Sequence, residues 1–282
     1  MTRSYVIVAL QNSIHGYIVS QPPQSLSVFE TADNPLGLCC IGSKVLAFPG
    51  RTPGQVQVVE LATGNISIIP AHSTPLQALA LSQDEEILAT ASETGTLVRT
   101  FSTSNCVRTA ELRRGVDRAD IYSIGISPNS KYLAVTSDKG TLHIFDLPNY
   151  GTPQNGLHTS QSHRNSTHSS SSAPEEPESH KWGILGKLPL MPRVFSDVYS
   201  FTSAHFATDD DSPSPFGTAT NKPIPGIRGG KARKGIIGWK DDSSIFVIGA
   251  GRDGRCERFF LGDSANGKRH LIRTGWKRYL GS

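Results

Sequence analysis

Short apolar runs separated by polar turns repeat along the middle of the chain. Leu76-Gln77-Ala78-Leu79-Ala80-Leu81-Ser82 and Ile87-Leu88-Ala89-Thr90-Ala91-Ser92 are matched about 45 residues later by Ile121-Tyr122-Ser123-Ile124-Gly125-Ile126-Ser127 and Tyr132-Leu133-Ala134-Val135-Thr136-Ser137. The turns match as well: Gln83-Asp84-Glu85 answers to Pro128-Asn129-Ser130, and Glu93-Thr94-Gly95-Thr96 to Asp138-Lys139-Gly140-Thr141. Runs this short, bounded by Gly, Asn, Asp and Ser, predict strands. A repeat of this period that holds several strands predicts the four-stranded blade of a β-propeller, and with it an all-β fold. A weaker copy covers 36–61, with strands expected at 37–40, 45–48 and 56–59, and another covers 235–261. The blades are expected at about 31–72, 73–114, 115–206 and 207–282, with 1–30 as part of one more. The chain then carries about four and a half blades of a larger ring.

Composition changes this picture in one stretch. From about 148 to 211 the strand pattern gives way, and 159–173 is dominated by Ser, His and Asn. Such a segment buries too little apolar surface to offset the entropy of ordering it, so a long disordered loop is expected at about 148–199. An apolar island, Trp182, Ile184, Leu185, Leu188, Leu190, Met191, Val194 and Phe195, lies inside it, broken by glycines and prolines. A second polar stretch, 208–234, precedes the last blade.

The formal net charge is only +4, so affinity for acidic partners must come from where the basic residues lie. No apolar run approaches the roughly 18 residues of a spanning helix, and the segment after Met1 is too short for a signal peptide. A cytoplasmic protein is expected. The four cysteines, Cys39, Cys40, Cys106 and Cys256, have neither the density of a disulfide scaffold nor the spacing of a zinc site, and read as small buried hydrophobes.

Candidate chemistry gathers at the junction of the two clear repeats, Glu111-Leu112-Arg113-Arg114-Gly115. Along an extended strand neighbouring side chains point to opposite faces, so Arg113 and Arg114 are expected to serve two different pockets. The repeat supplies hydroxyls on each side, since Ser92 and Thr96 correspond to Ser137 and Thr141. His72 and Arg99 lie near the first pair, His143 near the second. Guanidinium forks together with hydroxyl and imidazole groups suit phosphomonoesters. A pair of surface salt bridges would use the same arginines.

Leu112-Arg113-Arg114-Gly115 resembles the F/L-R-R-G motif of the PROPPINs, seven-bladed WD-repeat β-propellers that bind phosphatidylinositol 3-phosphate and phosphatidylinositol 3,5-bisphosphate in autophagy. Asn34-Pro35-Leu36-Gly37-Leu38-Cys39, Leu46-Ala47-Phe48-Pro49-Gly50, Ala71-His72 and His143-Ile144-Phe145 are similar to that family too, and the match runs from about Val28 to Leu147. The resemblance implies blades three to seven for the segments above. It implies one lipid phosphate site at His72, Thr90, Ser92, Gly95, Thr96, Arg99 and Arg113, and a second at Arg114, Gly115, Ser137, Thr141 and His143. It also implies membrane insertion by the loop of blade six, through Trp182, Leu185, Leu188, Leu190, Met191 and Phe195. Its expected partners are phosphoinositide-containing membranes of preautophagosomal, endosomal or vacuolar type, and an autophagy lipid-transfer or scaffold protein. The family's first two blades are not found in the chain.

Gly249-Ala250-Gly251-Arg252-Asp253-Gly254 formally matches a dinucleotide-binding loop, but a strand-like run, Arg255 to Leu261, follows where a helix is required. A blade hairpin is expected there. His158, His163 and His168 stand in the disordered tract without partners. Lys231-Ala232-Arg233-Lys234 and Lys277-Arg278 are basic clusters that suit looser attraction to anionic surfaces better than a nucleic-acid interface. With no nucleophile elbow, phosphate loop or paired carboxylates, the chain is expected to be no enzyme and to use no cofactor or metal. A propeller that only docks proteins is the other reading.

Overall fold

A computed structural model of the chain describes residues 5–22, 24–148, 198–206, 235–249, 254–263 and 267–279. Every regular element among them is a strand. The first sheet holds β1 (Tyr5–Ala9), β2 (Ser13–Ile18) and β3 (Gln24–Glu30). The second is a four-stranded meander of β4 (Cys40–Ile41), β5 (Val45–Pro49), β6 (Gln55–Glu60) and β7 (Ile66–Pro70). The third runs β8 (Leu76–Leu81), β9 (Ile87–Ser92), β10 (Leu97–Ser102) and β11 (Arg108–Arg113).

The fourth sheet starts with β12 (Ile121–Ile126), β13 (Tyr132–Ser137) and β14 (Thr141–Asp146). When the chain is next described, β15 (Val198–Tyr199) adds in parallel to β11 on the outer edge of the third sheet, and β16 (Thr202–His205) then completes the fourth. The last sheet is β17 (Ile236–Trp239), β18 (Ser244–Ile248), β19 (Arg255–Asp263) and β20 (Arg269–Arg278). Apart from the β11–β15 pair, every ladder is antiparallel. This is the arrangement of a β-propeller, in which small meander sheets of about four strands pack face to face.

The apolar runs become strands buried on both faces. β9 and β13 are almost wholly buried, because each sheet is covered by a neighbour on either side. Separate apolar layers join consecutive sheets: Ile14 with Phe48, Val58 with Leu88, Ile87 with Phe145, and Leu142 with Phe259 mark the four layers.

The repeat seen along the chain is also a repeat of backbone geometry. Glu85 and Ser130 both take positive φ, as do Gly95 and Gly140. Ser82 Oγ accepts from Ile87 N at 2.9 Å, and Ser127 Oγ from Tyr132 N at 3.1 Å. Gly95 has no substitute, since a Cβ there would lie 1.8 Å from the Ala119 carbonyl oxygen.

In the second sheet the strand expected at 37–40 shrinks to the two residues of β4. Asn34 explains the loss: its Oδ1 accepts from Leu38 N at 2.8 Å and its Nδ2 donates to Leu38 O at 3.2 Å, with Gly37 in the left-handed region, so 34–38 is a closed turn. At the start of the β18–β19 ladder Ile248 is paired to Cys256, and Gly249 N donates to Arg255 O at 2.8 Å.

Candidate functional site

Arg113 is the last residue of β11, the fourth strand of its sheet, and Arg114 begins the link to β12. Two clusters flank them, one built on β9 and β10 and the other on β14.

In the first cluster the register sets Arg99 opposite both Thr90 and Glu111. Arg99 Nη1 donates to Ala71 O at 2.6 Å and lies 3.4 Å from His72 Nδ1, while Nε donates to Glu111 at 2.7 Å. A guanidinium can only donate, so His72 Nδ1 accepts and its proton sits on Nε2. That nitrogen lies 2.9 Å from Thr90 Oγ1, which donates onward to Arg99 O at 3.3 Å. Burial, followed by the charge of Arg99, pushes the His72 pKa down to about 4. The imidazole is therefore neutral at physiological pH. Arg108 also bonds Glu111, at 2.8 Å, so that carboxylate holds two guanidiniums.

The second cluster centres on His143, whose Nε2 lies 3.1 Å from Thr141 Oγ1 and whose Nδ1 lies 3.1 Å from Ser200 Oγ. Burial first, then Arg114 and His205, bring the His143 pKa down to about 4. The charge of Arg114 is thus felt at this imidazole. Arg114 itself is only 8% exposed. Its Nε donates to Gly95 O at 2.7 Å and its Nη2 to Asp117 O. Burial draws its pKa below the ordinary arginine value, opposed by Asp138 and Asp117. Arg113 is half-buried, with Nη1 3.4 Å from Gly115 O.

A cation on a frame of neutral imidazoles and hydroxyls, repeated in two neighbouring sheets, is chemistry for an oxyanion such as a phosphate. The PROPPIN family profile matches residues 1–188. An SVP1-like protein 2 from Emericella nidulans is 58% identical over 282 residues, covering all of this chain and 84% of the relative. The chain belongs to the PROPPIN family. With that membership comes a phosphoinositide-binding, autophagy-related role in a family of non-enzymatic propellers. Autophagy-related protein 18e from Arabidopsis thaliana is 43% identical over 151 residues, covering 52% of this PROPPIN and 40% of the relative. Among solved structures, Hsv2 of Kluyveromyces lactis superposes with a TM-score of 0.69 at 20% identity, over 99% of this chain and 72% of that one, which shows the shared fold.

Within this PROPPIN chain His72, Thr90 and Arg99 of the first expected site form one hydrogen-bonded group. Ser92 ends β9, its Oγ 3.1 Å from Thr94 Oγ1, Gly95 lies on the turn that follows, and Thr96 O accepts from Arg114 N at 2.9 Å. Of the second expected site, Thr141 and His143 meet directly, Ser137 is fully buried with its hydroxyl 3.4 Å from Lys139 N, and Gly115 lies beside Arg113. One division expected from strand alternation is drawn differently by the geometry. Arg114 reaches both ways: its guanidinium rests on Gly95 of the first cluster while its charge bears on His143 of the second. The membrane-insertion residues Trp182, Leu185, Leu188, Leu190, Met191 and Phe195 fall outside the described residues.

Sequence reasoning missed Glu111, Asp117, Ser200 and His205. Glu111 could have been found, since it immediately precedes the motif and stands two positions from Arg113 on the same face. Ser200 and His205 carry no signal, because they reach the site only when the chain returns from the far side of a long tract.

Proposed function

We propose that this PROPPIN binds phosphatidylinositol 3-phosphate and phosphatidylinositol 3,5-bisphosphate through two phosphate sites, one around Arg113, His72, Thr90, Ser92, Gly95, Thr96 and Arg99, the other around Arg114, Gly115, Ser137, Thr141 and His143. The sheets are then blades three to seven, bounded near 30, 72, 114 and 206. Bound in this way, the protein brings an autophagy lipid-transfer or scaffold protein to preautophagosomal, endosomal or vacuolar membranes. The observation that carries this reading is the pair of imidazole–threonine contacts, His72 with Thr90 and His143 with Thr141, placed on either side of consecutive arginines. Each neutral imidazole can turn a donor toward a phosphate oxygen while the guanidiniums supply the charge.

Sedimentation with phosphatidylcholine vesicles that do or do not contain the 3-phosphate lipid tests it. The wild type is expected to pellet only with the phosphoinositide, and the double variant Arg113→Ala/Arg114→Ala to stay in solution. Retention of 3-phosphate selectivity by a folded double variant would show that the arginines do not form the sites. A wild type that never binds the lipid would leave a platform for proteins alone.

A further inference from the structure

The last sheet ends in a hairpin far richer in positive charge than the chain as a whole. Residues 255–279 hold seven arginines and lysines against two acids. The segment therefore has a formal surplus of five positive charges. Part of its charge is tied into the fold: Arg269 makes a two-pronged bond to Asp146, at 2.6 and 2.7 Å, and Arg273 lies 2.7 Å from the buried Glu257.

Three observations give this surplus a direction. First, β20 is the last strand of its sheet, and residues 272–279 are exposed throughout, including Trp276 at 49% and Tyr279 at 48%. Arg255 lies 4.8 Å from the Trp276 ring centroid, so the aromatic surface and the positive charge form one patch. Second, the strand starts at the second phosphate cluster. Leu271 N donates to Thr202 Oγ1 at 3.2 Å, and Arg269 lies 4.1 Å from the Phe201 centroid. Ser200, next to Phe201, is the partner of His143, and Asp146 lies on the same strand as His143. Third, β20 is the outer strand of its sheet as β16 is of the preceding one, so the patch continues the same rim.

From this we infer that β20 is a third membrane contact, an electrostatic one, which takes the anionic headgroups of ordinary acidic phospholipids without reading a phosphoinositide. The inference rests on the proposed phosphoinositide reading for the orientation of the rim. Exposed Trp and Tyr beside Lys and Arg suit the headgroup layer, where aromatic rings settle and basic side chains meet lipid phosphate. An acidic polypeptide would satisfy the charge but has no need of the flanking aromatic rings.

The test uses the full chain, phosphatidylcholine–phosphatidylserine vesicles without phosphoinositide, and calorimetry with soluble inositol 1,3-bisphosphate. The wild type is expected to bind the phosphatidylserine vesicles weakly and to release them as salt is raised. Lys277→Glu/Arg278→Glu should lower that binding by about 10- to 100-fold and leave binding of the soluble headgroup unchanged. The neutral pair Lys277→Gln/Arg278→Gln should fall between the two, and Trp276→Ala should weaken vesicle binding without touching the headgroup.

A wild type with no affinity for phosphatidylserine vesicles overturns the inference, as does a charge-reversed variant that binds them like the wild type. Loss of headgroup and vesicle binding together would make the patch part of the fold. With poly-glutamate as a third probe, a charge-reversed variant that loses poly-glutamate binding and keeps vesicle binding would show that the surface takes acidic polypeptide, and the lipid assignment would fall. Failure of the phosphoinositide reading gives a different result, with no headgroup binding in the wild type while the phosphatidylserine series still holds.

Discussion

Consecutive arginines at one motif should differ sharply in what their removal does. Arg114 is 8% exposed and donates two charge-assisted hydrogen bonds, from Nε to Gly95 O at 2.7 Å and from Nη2 to Asp117 O. Bonds from a charged donor contribute about 1.5–3 kcal/mol each. Gly95 is buried and Asp117 exposed, so water replaces the loss at Asp117 O alone, and Arg114→Ala is expected to destabilise the fold by about 2–4 kcal/mol. Arg113 is half-buried and better reached by water than Arg114, so Arg113→Ala should cost less than Arg114→Ala.

Both variants should lose phosphate affinity, each by on the order of 30-fold or more at its own site, since a desolvated charge contact is worth about 2–5 kcal/mol. Denaturant unfolding separates the two effects when combined with calorimetric titration of soluble headgroup at a temperature where both variants are folded. Equal destabilisation by the two substitutions would refute the assignment of Arg114 as the clamp between Gly95 and Asp117. Full stoichiometry of headgroup binding by folded Arg114→Ala would refute its place in a site.

Other consequences follow from the same geometry. His72 and His143 both have folded pKa values of about 4 against an ordinary 6.5, so the unfolded chain binds more protons between those values; stability should fall as pH drops from about 6.5 to 4, and His72→Gln/His143→Gln should flatten that slope in urea melts. The Glu85 carboxylate accepts from Ser43 N, Ser43 Oγ, Lys44 N and Val45 N at 2.5–2.9 Å and is held below its ordinary pKa by those bonds against the opposing effect of burial, so it joins the second and third sheets. Glu85→Gln should cost about 2–4 kcal/mol near neutral pH, and the difference from wild type should vanish as pH falls through the depressed pKa; a constant difference down to acid would count against the charged clamp. Gly95→Ala should cost about 2–5 kcal/mol, because φ is +62° and Ala119 O fills the space, whereas Gly64→Ala, at φ +72° with nothing within 4 Å, should cost about 1–2 kcal/mol; comparable chemical melts for the two would contradict the role given to Ala119.

The legibility of this chain depended on whether the deciding interaction was local. The runs at 76–92 and 121–137 carry their structure in their own composition, because a strand buried on both faces must be apolar at nearly every position. Turn residues such as Gly95 and Gly140 gave the same signal at the same spacing. The strand expected at 37–40 was overestimated for an equally local reason, since Asn34 competes for the backbone of Leu38 through its side chain. What could not be read were contacts made across strands whose pairing is unknown from one sequence. Arg99 and Glu111 are 12 positions apart and become opposite only through the β10–β11 register.

Arg114 shows how far that limit reaches into function. Alternation assigns its side chain to one face of an extended strand, and the argument holds only while the strand lasts. β11 ends at Arg113, and the backbone bond from Arg114 N to Thr96 O is the last tie before the chain turns toward β12. Beyond that point the side chain is steered by the carbonyls that happen to be within reach, Gly95 O and Asp117 O, and not by pleat. The Gly95 carbonyl is available because the left-handed turn at that glycine lets the backbone approach Ala119 closely. A guanidinium held in this way is pre-oriented before any ligand arrives, so less of its rotamer entropy remains to be lost on binding. The same glycine therefore sets the turn, positions the cation and couples the two clusters, and this is why a change at Gly95 should impair phosphate binding on both sides of the motif.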